Sequence, residues 1–383
     1  MKILITGGGT GGHIIPALAI LEIIKDEYSD SRILYVGGEN SLEKELAQKE
    51  GYNFKAVKTD YIERRFFSMK NFKSFFKNIY GLFQSLKIIK KFSPDLIIGT
   101  GGYVSGTVVL SGKILNKKII IHEQNAYPGI TNRIAGKFAD KIMISFNKAF
   151  DYFKRKDKIV LTGNPIRKEI IEATYENSRS FFKLEENDFF VYSFGGSGGQ
   201  ASINNVLLDS LEDIGKIKDL VWLHVTGKNN YNDFIELASC KKIKIPDNLM
   251  LKDYMYDAPK ALKASNLIIG SAGAISISEI TYLNKPCILI PKSYTAENHQ
   301  YYNAKEIQDN GAGLLILEKD LTKKLLLNHI NTFKNNKEKR RDMIEKSKNI
   351  SNIDFKKNII KTIEEIKKKW IWWQTKKIKN QRI

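Results

Sequence analysis

The stretch KILITGGGTGGH, residues 2–13, decides the fold. Ile3-Leu4-Ile5-Thr6 is an apolar, β-branched run of the length of a buried strand. A glycine turn follows, and from His13 the pattern turns helical. A strand, a glycine turn and a helix start aim unpaired amide N–H groups and the positive end of the helix at one point, which suits a phosphate. The wording returns 187 positions later, where Val191-Tyr192-Ser193-Phe194 runs into GGSGGQ, residues 195–200. Two such corners imply an α/β protein of two Rossmann-like, doubly wound domains facing a cleft. That is the layout of an enzyme joining two phosphorylated partners.

The rest of the chain fits this plan. At 383 residues it exceeds a comfortable single core. Strands are expected near 2–6, 32–36, 96–98, 118–121, 141–144 and 158–161, then near 189–194, 221–225, 248–251, 267–270, 287–290 and 313–316. Helical patterns lie between them, so parallel sheets wrapped by helices follow. The turn Thr162-Gly163-Asn164-Pro165 marks the boundary, giving domains 1–164 and 165–349. A helix over about 350–369 is expected to return to the first domain, ahead of a basic aromatic tail at 370–383.

Composition narrows the class. With only Cys240 and Cys287, neither a disulfide framework nor a cysteine zinc site is expected, and a reducing cytosol fits. No signal peptide is visible, and no run approaches the roughly 18 apolar residues of a membrane span. Lys and Arg number 62 against 42 Asp and Glu, a net charge of +20. An acidic nucleic acid, an anionic membrane surface, a phosphorylated substrate or simply a lysine-rich proteome would each account for it. A nucleic-acid binder has no use for paired glycine loops, so no nucleic acid is expected.

The first loop alone is ambiguous, because Gly7, Gly9 and Gly12 also satisfy the dinucleotide fingerprint. That fingerprint needs an acid closing the second strand, and Glu39 is cut off from it by Gly37-Gly38. Other corners weigh against it. Thr100-Gly101-Gly102 follows the strand Leu96-Ile97-Ile98, and His122-Glu123-Gln124-Asn125 ends the next one, where α/β sheets bind ligands. In the second half Ser271-Ala272-Gly273-Ala274 opens a helix carrying Glu279 in its second turn. Such a helix start can hold a diphosphate while the carboxylate accepts hydrogen bonds from ribose hydroxyls.

Seven segments carry a family resemblance: GGTGGHIIPALA (8–19), TGGYVSG (100–106), HEQN (122–125), TGNPIR (162–167), GGSGGQ (195–200), GAISISEI (273–280) and HQYYNA (299–304). In this order they resemble the MurG family of peptidoglycan N-acetylglucosaminyltransferases, which convert lipid I to lipid II. The resemblance implies the GT-B architecture, with the donor on the C-terminal domain and the acceptor on the N-terminal one. It also implies inversion at the sugar carbon with no cofactor and no metal. By the same resemblance Thr10, Gly11, Gly12 and Asn125 contact the donor sugar. Arg167, Ser197, Met255, Ala274, Ile275, Ser276, Ile277, Ser278, Glu279 and Gln300 hold UDP-N-acetylglucosamine, Met255 through its backbone and Glu279 on the ribose. The chain departs from the family pattern at Gly270-Ser271-Ala272, where many members carry an arginine, at His299 in place of a glutamine, and at Gly199 before Gln200.

Such a transfer needs a base for the acceptor's 4-hydroxyl and a positive field for the departing UDP. His13, at the lip of the first loop, is the leading base, since an imidazole titrates near neutral pH. The other reading of His13 is a residue that only packs at a helix start. Glu123 is the reserve catalytic candidate, and the alternative for it is a brace for the loops.

Residues 64–92 hold eight Lys or Arg and no acid, interleaved with aromatics. Phe72, Phe75, Ile79, Leu82 and Leu86 make one helical stripe, and Phe76, Tyr80 and Phe83 a second. One stripe is expected to face the core and the other an anionic membrane surface. The resemblance implies a polyprenyl-diphosphate-linked acceptor, and with these features it leads to the expectation of a peripheral protein at the cytoplasmic face of the cell membrane. Another lipid acceptor for an inverting GT-B enzyme remains the alternative reading.

Overall fold

The apolar runs pair in parallel, as they must when each is followed by a helix that crosses the sheet before the next strand begins. The structure is a computed structural model that describes residues 1–61, 69–196 and 198–380. Its first sheet contains β1 (Lys2–Thr6), β2 (Arg32–Gly38), β3 (Phe54–Val57), β4 (Leu96–Gly99), β5 (Lys118–Glu123), β6 (Lys141–Ile144) and β7 (Ile159–Leu161). They lie in the order β3-β2-β1-β4-β5-β6-β7. The second contains β8 (Phe189–Phe194), β9 (Leu220–Val225), β10 (Leu249–Lys252), β11 (Leu267–Gly270), β12 (Cys287–Leu289) and β13 (Leu314–Leu315), in the order β10-β9-β8-β11-β12-β13. Both sheets are doubly wound, so the expected fold class stands. Each expected strand is present, and β3 is an addition at an edge, too short and too polar to be read from its sequence.

Strand order reverses between β1 and β4 in one sheet and between β8 and β11 in the other. At such a switch point neighbouring loops diverge and leave a crevice at the carboxyl ends of the strands. The loop after β1 thereby meets the loop after β4, and the loop after β8 meets the loop after β11.

By internal contacts the chain divides into two units, Met1–Pro165 with Asp354–Ile383, and Ile166–Ile353. The helix Phe355–Asn380 joins the first unit by burying Ile359, Ile363 and Ile366 beside Ile3, Ile5 and Met143. Its Glu365 also pairs with Lys141 at 2.6 Å. The side chains of Trp370, Trp372 and Trp373 lie outside the described residues.

One expectation is corrected on the helix Met69–Phe92. Its buried line is Asn71, Ser74, Gly81, Ser85 and Ile89, so neither aromatic stripe faces the core over its first half. Small side chains allow close approach here: a Cβ on Gly81 would overlap the Lys58 carbonyl oxygen, and Ser111 Oγ donates to the Leu82 carbonyl at 3.2 Å. Phe72, Phe75, Phe76, Ile79, Tyr80 and Phe83 are exposed, with Phe72 at 63% and Phe83 at 64%. Arg64, Arg65, Phe66 and Phe67 lie outside the described residues. Among the described residues no helix is long and apolar enough to cross a membrane.

Candidate active site

In the first unit the loop after β1 passes into the helix Gly11–Glu27, with Thr10 as its N-cap. Thr10 makes no side-chain capping bond and the first turn holds no acid. Thr10 and Gly12 are exposed, Gly11 and His13 half-buried. The His13 Nδ1 lies 3.1 Å from the Thr100 carbonyl and 3.3 Å from Gln124 Oε1. The Thr100 hydroxyl donates to the His13 carbonyl at 2.7 Å and locks the two loops together. His13 thus stands at the switch point with its Nε2 taking no hydrogen bond among the described residues.

Glu123 is positioned differently. It is 1% exposed at the end of β5. Its Oε1 accepts from the Asn125 amide N–H at 2.9 Å and from Asn125 Nδ2 at 3.1 Å. Its Oε2 accepts from the Gly129 N–H at 3.1 Å and from Asn132 Nδ2 at 2.9 Å. A carboxylate that is buried and saturated with donors has no open lone pair for a substrate proton. The geometry fits the brace reading of Glu123, whose bonds hold Asn125 half-exposed at the loop.

Beneath the first loop lies Glu43, while Glu39, the acid nearest the end of β2 in sequence, points elsewhere. Glu39 is exposed and 4.0 Å from Lys58. Glu43 is buried, accepting from the Gly38 N–H at 3.0 Å and the Gly9 N–H at 3.5 Å. It places negative charge under this corner. The sequence offered no signal for that beyond the Gly37-Gly38 end of β2.

In the second unit the helix Ala274–Tyr282 starts at an N-cap, Gly273, that has no side chain to cap it. Its first backbone bond runs from Ile277 N–H to the Gly273 carbonyl at 2.9 Å, so the Ala274, Ile275 and Ser276 amides precede the ladder. Ala274 and Ile277 are buried, which leaves them only backbone to offer a ligand. Ile275 and Ser276 are half-exposed, and Ser278 donates back to the Ala274 carbonyl at 2.9 Å.

Glu279, one turn further, forms a bidentate pair with Arg167 at 2.6 Å and 3.1 Å. Burial raises the Glu279 carboxyl above the ordinary carboxylate range, and the guanidinium opposes that rise. Each carboxylate oxygen keeps a second lone pair for a hydroxyl donor. Gln300 Oε1 accepts from the Ala272 N–H at 3.2 Å and the Lys292 N–H at 3.0 Å, fixing the start of the helix against the loop after β12. Met255 is half-buried between the exposed Tyr254 and Tyr256. Ser197 lies outside the described residues.

Lys292 is a second residue that sequence reasoning missed. Its Nζ donates to the Gly199 carbonyl at 2.7 Å, and a Cβ on Gly196 would lie 3.9 Å from it. The same Cβ would lie 3.3 Å from Ser271 Oγ. A cation therefore stands where the loop after β8 meets the loop after β11. Among the described residues no three His, Cys, Asp or Glu side chains gather as metal ligands.

Residues 3–144 match the glycosyltransferase family 28 N-terminal domain, and residues 190–363 match the family 28 C-terminal domain. The chain belongs to glycosyltransferase family 28. Two relatives bear the name UDP-N-acetylglucosamine–N-acetylmuramyl-(pentapeptide) pyrophosphoryl-undecaprenol N-acetylglucosamine transferase. One, from Clostridioides difficile, is 43% identical over 91% of this chain and 85% of its own length. The other, from Desulforamulus reducens, is 39% identical over 96% of this chain and 99% of its own. The resemblance to the MurG family drawn from the seven segments therefore holds. A crystal structure of Acinetobacter baumannii MurG has the same fold at 22% identity, with a TM-score of 0.74 over 95% of this chain and 99% of that one. A similar fold is found in Anabaena HepE in complex with UDP and glucose, with a TM-score of 0.61 at 15% identity over 97% of this chain and 99% of that one.

Proposed function

We propose that this family 28 enzyme transfers N-acetylglucosamine from UDP-N-acetylglucosamine to the 4-hydroxyl of the N-acetylmuramoyl group of undecaprenyl-diphospho-N-acetylmuramoyl-pentapeptide, lipid I to lipid II. The transfer inverts the sugar carbon and uses no metal. The observation that carries the donor assignment is the uncapped helix start at Gly273 with Glu279 on the same helix, paired to Arg167. Ala274 and Glu279 are five residues apart, about 7.5 Å along the axis, a span that suits a diphosphate at one end and a ribose at the other. The free amides and Lys292 supply the positive field for the leaving diphosphate. Ser197 and the Gln300 amide contact the same donor, and the Met255 backbone takes the uracil.

In the first unit His13 Nε2 takes the proton of the acceptor hydroxyl, while Thr10, Gly11, Gly12 and Asn125 address the sugar. Glu123 holds Asn125 in place. The acceptor's lipid chain calls for a surface, and the exposed aromatics of Met69–Phe92, with Lys73 and Lys77 among them, suit anionic lipid headgroups. The enzyme then works peripherally at the cytoplasmic face of the membrane, with no nucleic acid among its partners.

The test is turnover with labelled UDP-N-acetylglucosamine and a lipid-linked muramoyl-pentapeptide, with the native chain floated on anionic vesicles in parallel. Release of UDP with formation of a β-linked disaccharide is expected, and failure to bind UDP by calorimetry would overturn the reading. Transfer to a glycolipid acceptor in preference to the muramoyl one would favour a different inverting enzyme of the same fold.

A further inference from the structure

Four groups of the first unit form a hydrogen-bonded series that ends at His13. The Gly163 carbonyl lies 3.1 Å from His122 Nε2, so that nitrogen donates. His122 is fully buried, which pushes its pKa down to about 4, against the upward pull of the Gly163 contact, and it is neutral at working pH. With its proton on Nε2, its Nδ1 can only accept. Gln124 Nε2 lies 3.0 Å from that nitrogen and also donates to the Thr100 carbonyl at 2.9 Å and the His122 carbonyl at 3.1 Å. Three acceptors around one amide nitrogen settle which way the amide points, because the flipped amide would set oxygen against oxygen. Gln124 Oε1 is thereby aimed at His13 Nδ1 at 3.3 Å, beside the Thr100 carbonyl at 3.1 Å. Facing two acceptor oxygens, His13 Nδ1 must carry the proton.

We propose that Gln124, oriented by His122, is a positioning residue that holds the His13 proton on Nδ1 and presents Nε2 as the basic lone pair. This rests on the reading of His13 as the base. In the transfer, the acceptor O–H proton moves to Nε2 as that oxygen bonds to the sugar carbon. The bond from that carbon to the diphosphate breaks, and its electron pair leaves on UDP. The imidazolium so formed keeps its Nδ1–H on Gln124 Oε1 and the Thr100 carbonyl, which disperse the new charge. The opposite tautomer would offer the substrate an N–H where a lone pair is needed. Neither Gln124 nor His122 touches substrate in this scheme, since both are buried.

The experiment combines spectroscopy with kinetics on the full chain. The chain has five histidines, so ring-15N labelling with long-range proton–nitrogen correlation resolves them, and the spectrum of His13→Ala assigns the one at the site. The native spectrum is expected to show neutral His13 protonated at Nδ1, and finding it protonated at Nε2 overturns the proposal whether or not any variant folds. Gln124→Leu is expected to give mixed His13 tautomers. It should lower kcat about ten- to a hundredfold, less than the roughly 10²–10⁴-fold that the positioned base itself contributes, with the KM for the donor unchanged. A Gln124→Leu enzyme with native spectrum and native kcat also overturns it. Full turnover by His13→Ala would instead remove the base reading beneath it. An inactive His13→Ala beside an unaffected Gln124→Leu removes the positioning role alone.

Discussion

At the first glycine corner, residues 8–13, the helix begins at Gly11, and His13 stands in its first turn. At the second, residues 195–200, the helix begins only at Ala201, and Gln200 is its N-cap. Near-identical wording is thus used in two registers. Gly199 has φ +74°, and a Cβ there would overlap the Thr226 carbonyl oxygen, so this glycine closes a turn. Gly12 is a helical residue whose Cβ would meet nothing nearer than Thr10 Oγ at 3.6 Å. The turn at Gly199 sends Gln200 inward, where its amide nitrogen donates to the Ile290 carbonyl at 3.1 Å and to Glu318 at 2.9 Å. His13 is left half-exposed at the loop. Charge differs as well. Glu43 lies under the first loop and Lys292 against the second. The glycine pattern marks a corner, and the charge beneath it decides whether an anion is welcome.

The sharpest way to break this division of labour is to exchange its chemical consequences. His13→Ala is expected to lower kcat by about 10²–10⁴-fold while UDP affinity stays native. Glu279→Ala should weaken UDP-N-acetylglucosamine binding by about ten- to a hundredfold, the range for a lost hydrogen bond to a charged group, with a smaller effect on kcat. Steady-state kinetics and calorimetry on both variants test the crossing, and equal effects on both parameters would erase it.

The difference in register predicts a difference in stability. Gly199→Ala should destabilise the second unit by about 2–4 kcal/mol through its left-handed backbone and the carbonyl it meets. Gly12→Ala should stay within about 1 kcal/mol of native, since alanine suits a helix. Urea unfolding of the two variants compares them directly, and an equal cost at both sites would mean that the two loops share one backbone conformation.

A smaller effect compares the units through their buried histidines. Burial lowers His122 from 6.5 to about 4 and His224 from 6.5 to about 3. As pH falls below 6.5 the unfolded chain takes up protons that both folded sites refuse. Their contribution is therefore complete above pH 6.5 and is lost as pH falls toward those lower values. Each histidine adds a slope of about 1.4 kcal/mol per pH unit across that window. Urea midpoints measured from neutral pH to about 4.5 should show this decline, and His224→Gln should flatten it by one proton's share.

His224 also shows why distance alone does not make a site. Its Nδ1 lies 2.7 Å from Ser193 Oγ and its Nε2 3.0 Å from Asn204 Oδ1, a spacing that suits a nucleophile and its base. Trp222 Nε1 donates to the same serine oxygen at 2.7 Å, and both Ser193 and His224 are fully buried. No substrate reaches them. His13 has fewer partners and an open nitrogen, which is what a base requires.

Much of the fold was legible because it rests on local signals. Apolar runs of strand length, glycine turns and helical spacing each act within a dozen residues, and they marked the strands of both sheets and the glycine corners, while the strand order that makes switch points of those corners came from the tertiary structure. The edge strand β3 was not legible, because Phe54-Lys55-Ala56-Val57 has only half a face to bury. The aromatic stripes of Met69–Phe92 were misjudged for a related reason. Hydrophobic spacing tells which residues share a face, and here close packing by Ser74, Gly81 and Ser85 turned a polar, small-residue face inward.

The sequence by itself determined two doubly wound domains and four glycine corners, since these follow from short-range backbone preference, and it carried the seven segments that mark the family. Only the tertiary structure decided that Glu43 lies under one loop and Lys292 against the other, that Arg167 meets Glu279 across 112 positions, and that Gln124 points its oxygen at His13. Charge pairing and hydrogen-bond direction depend on which distant side chains share a buried volume. No local pattern of residues encodes that.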